Sequence, residues 1–213
     1  MRLRVSPCRS VSPAARLLRE GTVVTKSSNR AGLIAEAGLV IALAVVLNAL
    51  TVVQMPQGGS VSLVMLPLFV FALRRGVGLG LAVGAAYGVI DAIIKPYVVH
   101  WAQFILDYPV AFAAVGLAGL FSTAFVSARG DARFVRGAML VVVPGILLGT
   151  VARYAVHVVS GVIYFSEYAP EGTPVVWYSL AYNAFVLVSG ALCLLAAPFV
   201  LRAIPALRLK DRS

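Results

Sequence analysis

His100-Trp101-Ala102-Gln103-Phe104-Ile105-Leu106-Asp107-Tyr108-Pro109 runs without a break into an apolar stretch from Val110 to Phe125. A run this long and this apolar reads as a helix that crosses a membrane, because about 20 such residues span a bilayer core. Asp107 stands about two turns into it. A carboxylate at that depth costs roughly 2.5–3.5 kcal/mol on insertion scales unless it faces a partner or water. Two readings stay open. Asp107 pairs with a basic residue and ties helices together, or it faces a pocket that takes a cationic or amine-bearing solute. Tyr97, Trp101, Phe104 and Tyr108 surround it in sequence, and aromatic faces attract cations.

The rest of the chain repeats the apolar pattern. Of 213 residues, 61% are hydrophobic and 12% charged, against about 25% charged in a soluble domain. The expected fold is therefore an all-α polytopic membrane protein. Six apolar segments are expected, at about 32–53, 61–73, 77–94, 101–126, 138–165 and 175–204. The second holds Pro67 and would span only about 20 Å as a helix. It must be extended at its ends, buried in protein, or matched by local thinning of the bilayer. The third carries Gly80, Gly84 and Gly88 in register with Gly76, a stripe that lets another helix approach closely.

The net charge of +10 suggests nucleic acid only until the positions are read. Residues 1–30 hold seven basic residues. Arg74-Arg75, then Arg129, Arg133 and Arg136, then Arg202, Arg208, Lys210 and Arg212 lie at or beyond segment ends. With the N-terminus inside and six crossings, every Lys and Arg but Lys95 and Arg153 faces the cytoplasm, which is the positive-inside pattern. The expected organisation is a basic disordered tail over 1–30, a six-helix membrane domain over 31–205 with both termini inside, and a basic tail over 206–213. No apolar core of signal-peptide length precedes Ala31. Cys8 and Cys193 have no metal-ligand spacing and suggest no disulfide.

This topology brings several polar residues to the outer side. Arg153 and His157 are four apart and share a helix face, and Gly161 and Phe165 continue the line. Trp177, Tyr178, Tyr182 and Asn183 open the last segment. Together they read as an outward-facing cavity with a carboxylate, an imidazole, an amide and rings. Plainer readings stand beside it. His157 is a neutral helix-to-helix hydrogen bonder, Arg153 is the salt-bridge mate of Asp107, Trp177 and Tyr178 form an interfacial belt, and Asp91 pairs with Lys95. Tyr178 and Asn183 lie about 140° apart on a regular helix, so both line one pocket only if the helix starts later or is irregular. No HExxH, nucleophile elbow or Walker-type loop is present. Ser160 and His157 lie three apart with no oxyanion motif. An enzyme and a self-powered pump are both disfavoured, and no cofactor is expected.

The ordered blocks Ala72-Leu73-Arg74-Arg75-Gly76, Gln103 to Phe112, Gly116 to Gly119, Arg153 to Gly161, Tyr168 to Gly172 and Tyr178 to Asn183 resemble the thiamine-specific substrate-binding (S) component of energy-coupling factor transporters, over roughly residues 33–200. The resemblance implies a six-helix protein of the cell membrane that captures thiamine from outside. It would then dock on a transmembrane coupling subunit driven by two ATPases. It also implies ligand-binding roles for Asp107, Tyr108, Tyr97, Arg153, His157, Gly161, Phe165, Tyr178 and Asn183, and a docking face at Gly38 and Ala42. Asp107 stands where the family usually has Glu, and Phe165 where it has a stacking Trp. A related ligand such as a pyrimidine precursor therefore stays open. So do an ion-coupled secondary transporter using Asp91, Asp107 and His157, and a structural subunit with no ligand. The physics suits thiamine: a carboxylate answers its thiazolium charge or its amino group, rings stack on the flat heterocycles, and Asn offers a donor and an acceptor.

Overall fold

The structure is a computed structural model that describes the backbone of residues 13–128 and 134–203, with side chains over 30–127 and 137–203. Residues 1–12, the arginine-rich loop around 129–133 and the C-terminal cluster from 204 onward lie outside the described residues, as does the side chain of Arg136. The chain divides into two units at Gly38 and Leu39. Helix α1, Pro13–Ala49, begins inside the stretch expected as an irregular tail. Its backbone there is helical, with proline in the first turn, where its missing N–H costs nothing.

Among the described residues, five stretches are long and apolar enough to cross a membrane: Arg30–Ala49, Val77–Ile94, Trp101–Ser127, Gly137–Tyr164 and Val175–Ala203. The protein is a multi-pass, all-α membrane protein. The second expected segment takes another form. A two-stranded antiparallel hairpin, β1 (Val53–Gln54) and β2 (Ser60–Val61), leads into the short helix α2, Met65–Arg75. Eleven residues span about 16 Å, and Met65, Phe69, Phe71 and Ala72 are almost wholly buried. Of the three ways open to this segment, it is buried in protein; its helix begins only at Met65, with Val61 in the hairpin. Buried extended backbone needs its polar groups satisfied by protein. Ser62 N–H donates to Ser189 Oγ at 3.3 Å and Val52 N–H to Val61 O at 2.9 Å.

Helix α3, Val77–Ile94, packs its glycine stripe on the fourth span. A Cβ on Gly80 would strike Gly116, one on Gly84 the Phe112 carbonyl, and one on Gly88 the Tyr108 carbonyl. Backbone therefore meets backbone along the whole contact. That fourth span is not one regular helix. It comprises α4 (Trp101–Ile105), a π-helical turn (Leu106–Val110), α5 (Ala111–Val115), a 3-10 turn (Gly116–Phe121) and α6 (Ser122–Ala128). Pro109 lies in the π turn and has no N–H to give the ladder, and Ala111 N–H reaches back to Leu106 O. Such widened turns recur at functional sites, and this one carries Asp107 and Tyr108.

Helix α7, Phe134–Tyr164, runs the length of the bundle. A 3-10 turn at Ser166–Tyr168 and a short loop lead to α8, Val175–Tyr182, and α9, Phe185–Ala203. The last span breaks between these two helices. Val61, Phe185 and Val186 form a small core that also takes Met55, Tyr154 and Tyr182. It fixes the hairpin to the start of α9.

Candidate ligand-binding site

All nine residues singled out from the sequence line one cavity. Its atom-free space is about 760 Å³, open mouth included. The centre is a chain of hydrogen bonds. Gln103 Nε2 donates to Asp107 Oδ2 at 2.7 Å, and His157 Nδ1 lies 3.1 Å from Asp107 Oδ1. Arg153 Nε–H donates to His157 Nε2 at 3.4 Å. A guanidinium has no acceptor, so His157 must accept through Nε2 and carry its single proton on Nδ1, facing the carboxylate. The imidazole is therefore neutral and its tautomer is set from both sides.

Arg153 is thus not the direct mate of Asp107. Its guanidinium carbon stacks 3.9 Å from the centre of the Phe112 ring, a cation–π contact that helps a 7% exposed charge stay inside. Asp107 meets one neutral imidazole and one amide. Neither cancels its charge.

Gln103 and Tyr108 use their polar groups to hold the neighbouring loop. Gln103 accepts from Val99 N–H at 3.1 Å and donates to Tyr97 O at 3.1 Å. The Tyr108 hydroxyl donates to Lys95 O at 3.0 Å and accepts from Tyr97 N–H at 2.8 Å. Tyr108 therefore lends its ring to the cavity while its hydroxyl is committed. The loop in turn positions Tyr97, whose ring stacks on Phe165 at 6.0 Å and 25°. The Tyr168 hydroxyl 3.3 Å away, with some loss of solvent, pushes the Tyr97 phenol up to about 12, so it remains a neutral hydroxyl at physiological pH. The other aromatics near Asp107 in sequence turn elsewhere. Trp101 is 71% exposed, and Phe104 packs on Tyr108.

The break after α8 resolves the 140° problem. Ala184 N–H bonds Ala181 O and Val186 N–H bonds Asn183 O, both one residue tighter than an α-helix. This irregularity lets Tyr178 and Asn183 share the cavity. Asn183 Nδ2 donates to His157 O at 3.3 Å, Ser179 O at 2.9 Å and Ser179 Oγ at 3.2 Å. Because two of these are carbonyls, the amide orientation is forced and only its oxygen is left for the cavity. The expectation of a free donor as well is corrected. Gly161 makes the contact possible, since a Cβ there would overlap Ser179 Oγ and press on Asn183 Nδ2.

Three further features are not among the ligand-binding residues expected from the sequence. Between the first two expected segments, where the sequence assigns no site residue, Gln57, Gly58, Gly59 and Ser60 line the cavity. Gln57 N–H bonds the Tyr182 hydroxyl at 2.8 Å, and Gly58 has φ of 90° with no room for a Cβ beside Tyr97. Gln103 stands one helical turn before Asp107, a spacing that signals a partner. Asp91 and Asn48 also line the cavity. The expected Asp91–Lys95 pair is replaced: Lys95 Nζ binds Asn48 O at 3.0 Å and Thr51 Oγ1 at 3.2 Å, where the carbonyl end of α1 attracts a cation.

Comparison with known proteins agrees with this architecture. The family described as thiamine transporter protein matches residues 34–209. Thiamine transporter ThiT of Bacillus subtilis (strain 168) is 40% identical over 179 residues, covering 78% of this chain and 92% of that protein. Thiamine transporter ThiT of Lacticaseibacillus paracasei is 37% identical over 123 residues, covering 56% and 61%. The solved structure of ThiT from Listeria monocytogenes superposes with a TM-score of 0.77 at 28% identity, over 85% of this chain and 99% of that one. With a family match across nearly all of the helical bundle and a shared fold, the chain belongs to the thiamine transporter protein family.

Proposed function

We propose that this protein is the membrane-embedded thiamine-binding subunit of an energy-coupling factor importer. It captures thiamine from outside and hands it to a transmembrane coupling subunit driven by two ATPases. One observation carries the reading: a carboxylate at membrane depth, Asp107, opens on a ring-lined cavity and is held by neutral groups rather than by an opposite charge. A flat guest with amine and cationic character supplies what the cavity lacks. Asp107 accepts from the amino group or answers the charge, Asn183 presents its oxygen, and Tyr97, Phe165, Tyr178 and Tyr182 offer faces and edges to the two heterocycles. Membership of the thiamine transporter family supports the choice of guest.

With the N-terminus and C-terminus inside, the cavity opens outward. Gly38 and Ala42 are both exposed on α1, which supports their use as a close-approach face for the coupling subunit. Titration of thiamine into the purified protein tests the reading. Saturable binding of one thiamine per chain is expected, and absence of binding overturns it. Vesicles holding this chain alone should accumulate no thiamine under a pH gradient, whereas uptake there would favour an ion-coupled transporter.

A further inference from the structure

Asp107 is not the only carboxylate in the cavity. Asp91, on the last turns of α3, lines the same space. Its Oδ1 accepts from Asn48 Nδ2 and from the Tyr87 hydroxyl at 3.4 Å. No protein donor is set on its Oδ2 among the described residues, and that oxygen is not sealed in. Lys95, the cation nearest in sequence, is turned to the end of α1 and does not line the cavity.

Three formal charges therefore border the space: Asp91, Asp107 and Arg153. His157 is neutral by its hydrogen bonds. Among the lining residues the sum is one negative charge, which a monovalent guest balances; the Lys95 ammonium stands behind the wall, 3.4 Å from Asn48 Oδ1. The two carboxylates are not equivalent. Both oxygens of Asp107 are engaged by Gln103 and His157, so it is a fixed, directional acceptor suited to an N–H. Asp91 has one oxygen without a protein donor among the described residues, while Asn48, itself a wall of the cavity, and Tyr87 brace the other, so it is suited to a diffuse positive charge.

Resting on the thiamine reading, we infer that Asp91 is the residue that selects for the cationic ring, while Asp107 reads the amino-bearing heterocycle. The test uses the full chain in detergent and two probes. One is thiamine. The other is its neutral isostere, in which a thiophene replaces the thiazolium. Wild type should prefer thiamine by at least about tenfold, since a hydrogen bond or contact to a charged group is worth that much or more. Asp91→Asn should weaken thiamine by about 10- to 100-fold and leave the isostere within about threefold, bringing the preference near unity. Asp107→Asn should weaken both probes and keep the preference.

Equal loss of both probes in Asp91→Asn would mean a structural role and overturn the inference. So would loss of the preference in Asp107→Asn, a result that decides the matter even if the Asp91 variant fails to fold. If wild type binds thiamine and Asp91→Asn is unchanged, this inference alone falls. If wild type binds neither probe, the functional reading falls with it.

Discussion

Replacing Asp107 by Ala separates binding from folding. The carboxylate accepts from Gln103 Nε2 at 2.7 Å and from His157 Nδ1 at 3.1 Å. Ligand affinity loses one charge-assisted hydrogen bond, about 1.5–3 kcal/mol. It loses a further ~0.5–1 kcal/mol because the His157 ring is no longer pinned from both sides and must be ordered on binding. The sum is about 2–4 kcal/mol, or roughly 30- to 1,000-fold in Kd. The unliganded fold responds differently. His157 Nδ1–H is left without an acceptor, a cost of about 1–3 kcal/mol, but a desolvated charge is removed as well. These oppose each other, so the melting temperature of the unliganded protein should move little. Gln103 keeps its bond to Tyr97 O, so the loop stays anchored. Calorimetry with thiamine, paired with thermal unfolding without ligand, reads the two effects separately. Affinity within threefold of wild type would refute the reasoning. So would a collapse in melting temperature matching the affinity loss, which would make Asp107 a helix tie.

The remaining predictions probe the scaffold, the walls and the docking face. Gly84→Ala drives a methyl into the Phe112 carbonyl and should cost at least about 1–3 kcal/mol of stability, seen as a lower melting temperature in detergent. Gly161→Ala displaces Ser179 and Asn183 and should lower thiamine affinity by about tenfold or more with a smaller loss of stability. Phe165→Trp enlarges the face stacked near Tyr97 and should tighten thiamine binding by about two- to tenfold, in line with about 0.5–1.5 kcal/mol for aromatic pairing. Ala42→Trp, on an exposed position of α1, should leave thiamine binding intact in calorimetry yet abolish ATP-dependent uptake when the chain is reconstituted with a coupling subunit and ATPases.

Much of this was legible in the residues because the bilayer makes mistakes expensive. Long apolar runs mark spans, and the glycine stripe of α3 announces a close contact before the partner is known. Asp107, Arg153 and His157 stand out because lipid does not tolerate them without a reason. What stayed hidden depends on local backbone irregularity. The π turn at Leu106–Val110 and the break at Asn183 re-aim side chains in ways that an ideal period of 3.6 residues does not express. The hairpin over 53–61 is only two residue pairs long, below what alternation can signal. The short α2 is stabilised by burial of Phe69 and Phe71 rather than by any pattern of its own. Asp91 and Lys95 at i and i+4 invite a pairing rule, and the carbonyl end of α1 outcompetes it.

The central claim is that the cavity between the π turn, α7 and α8 holds thiamine. Mass spectrometry of the small molecule released from protein purified out of a thiamine-replete membrane tests it most directly. Thiamine should be released in near-equal molar amount from wild type and be absent from Asp107→Ala. Release of a different compound, or thiamine retained equally by both, would contradict the account.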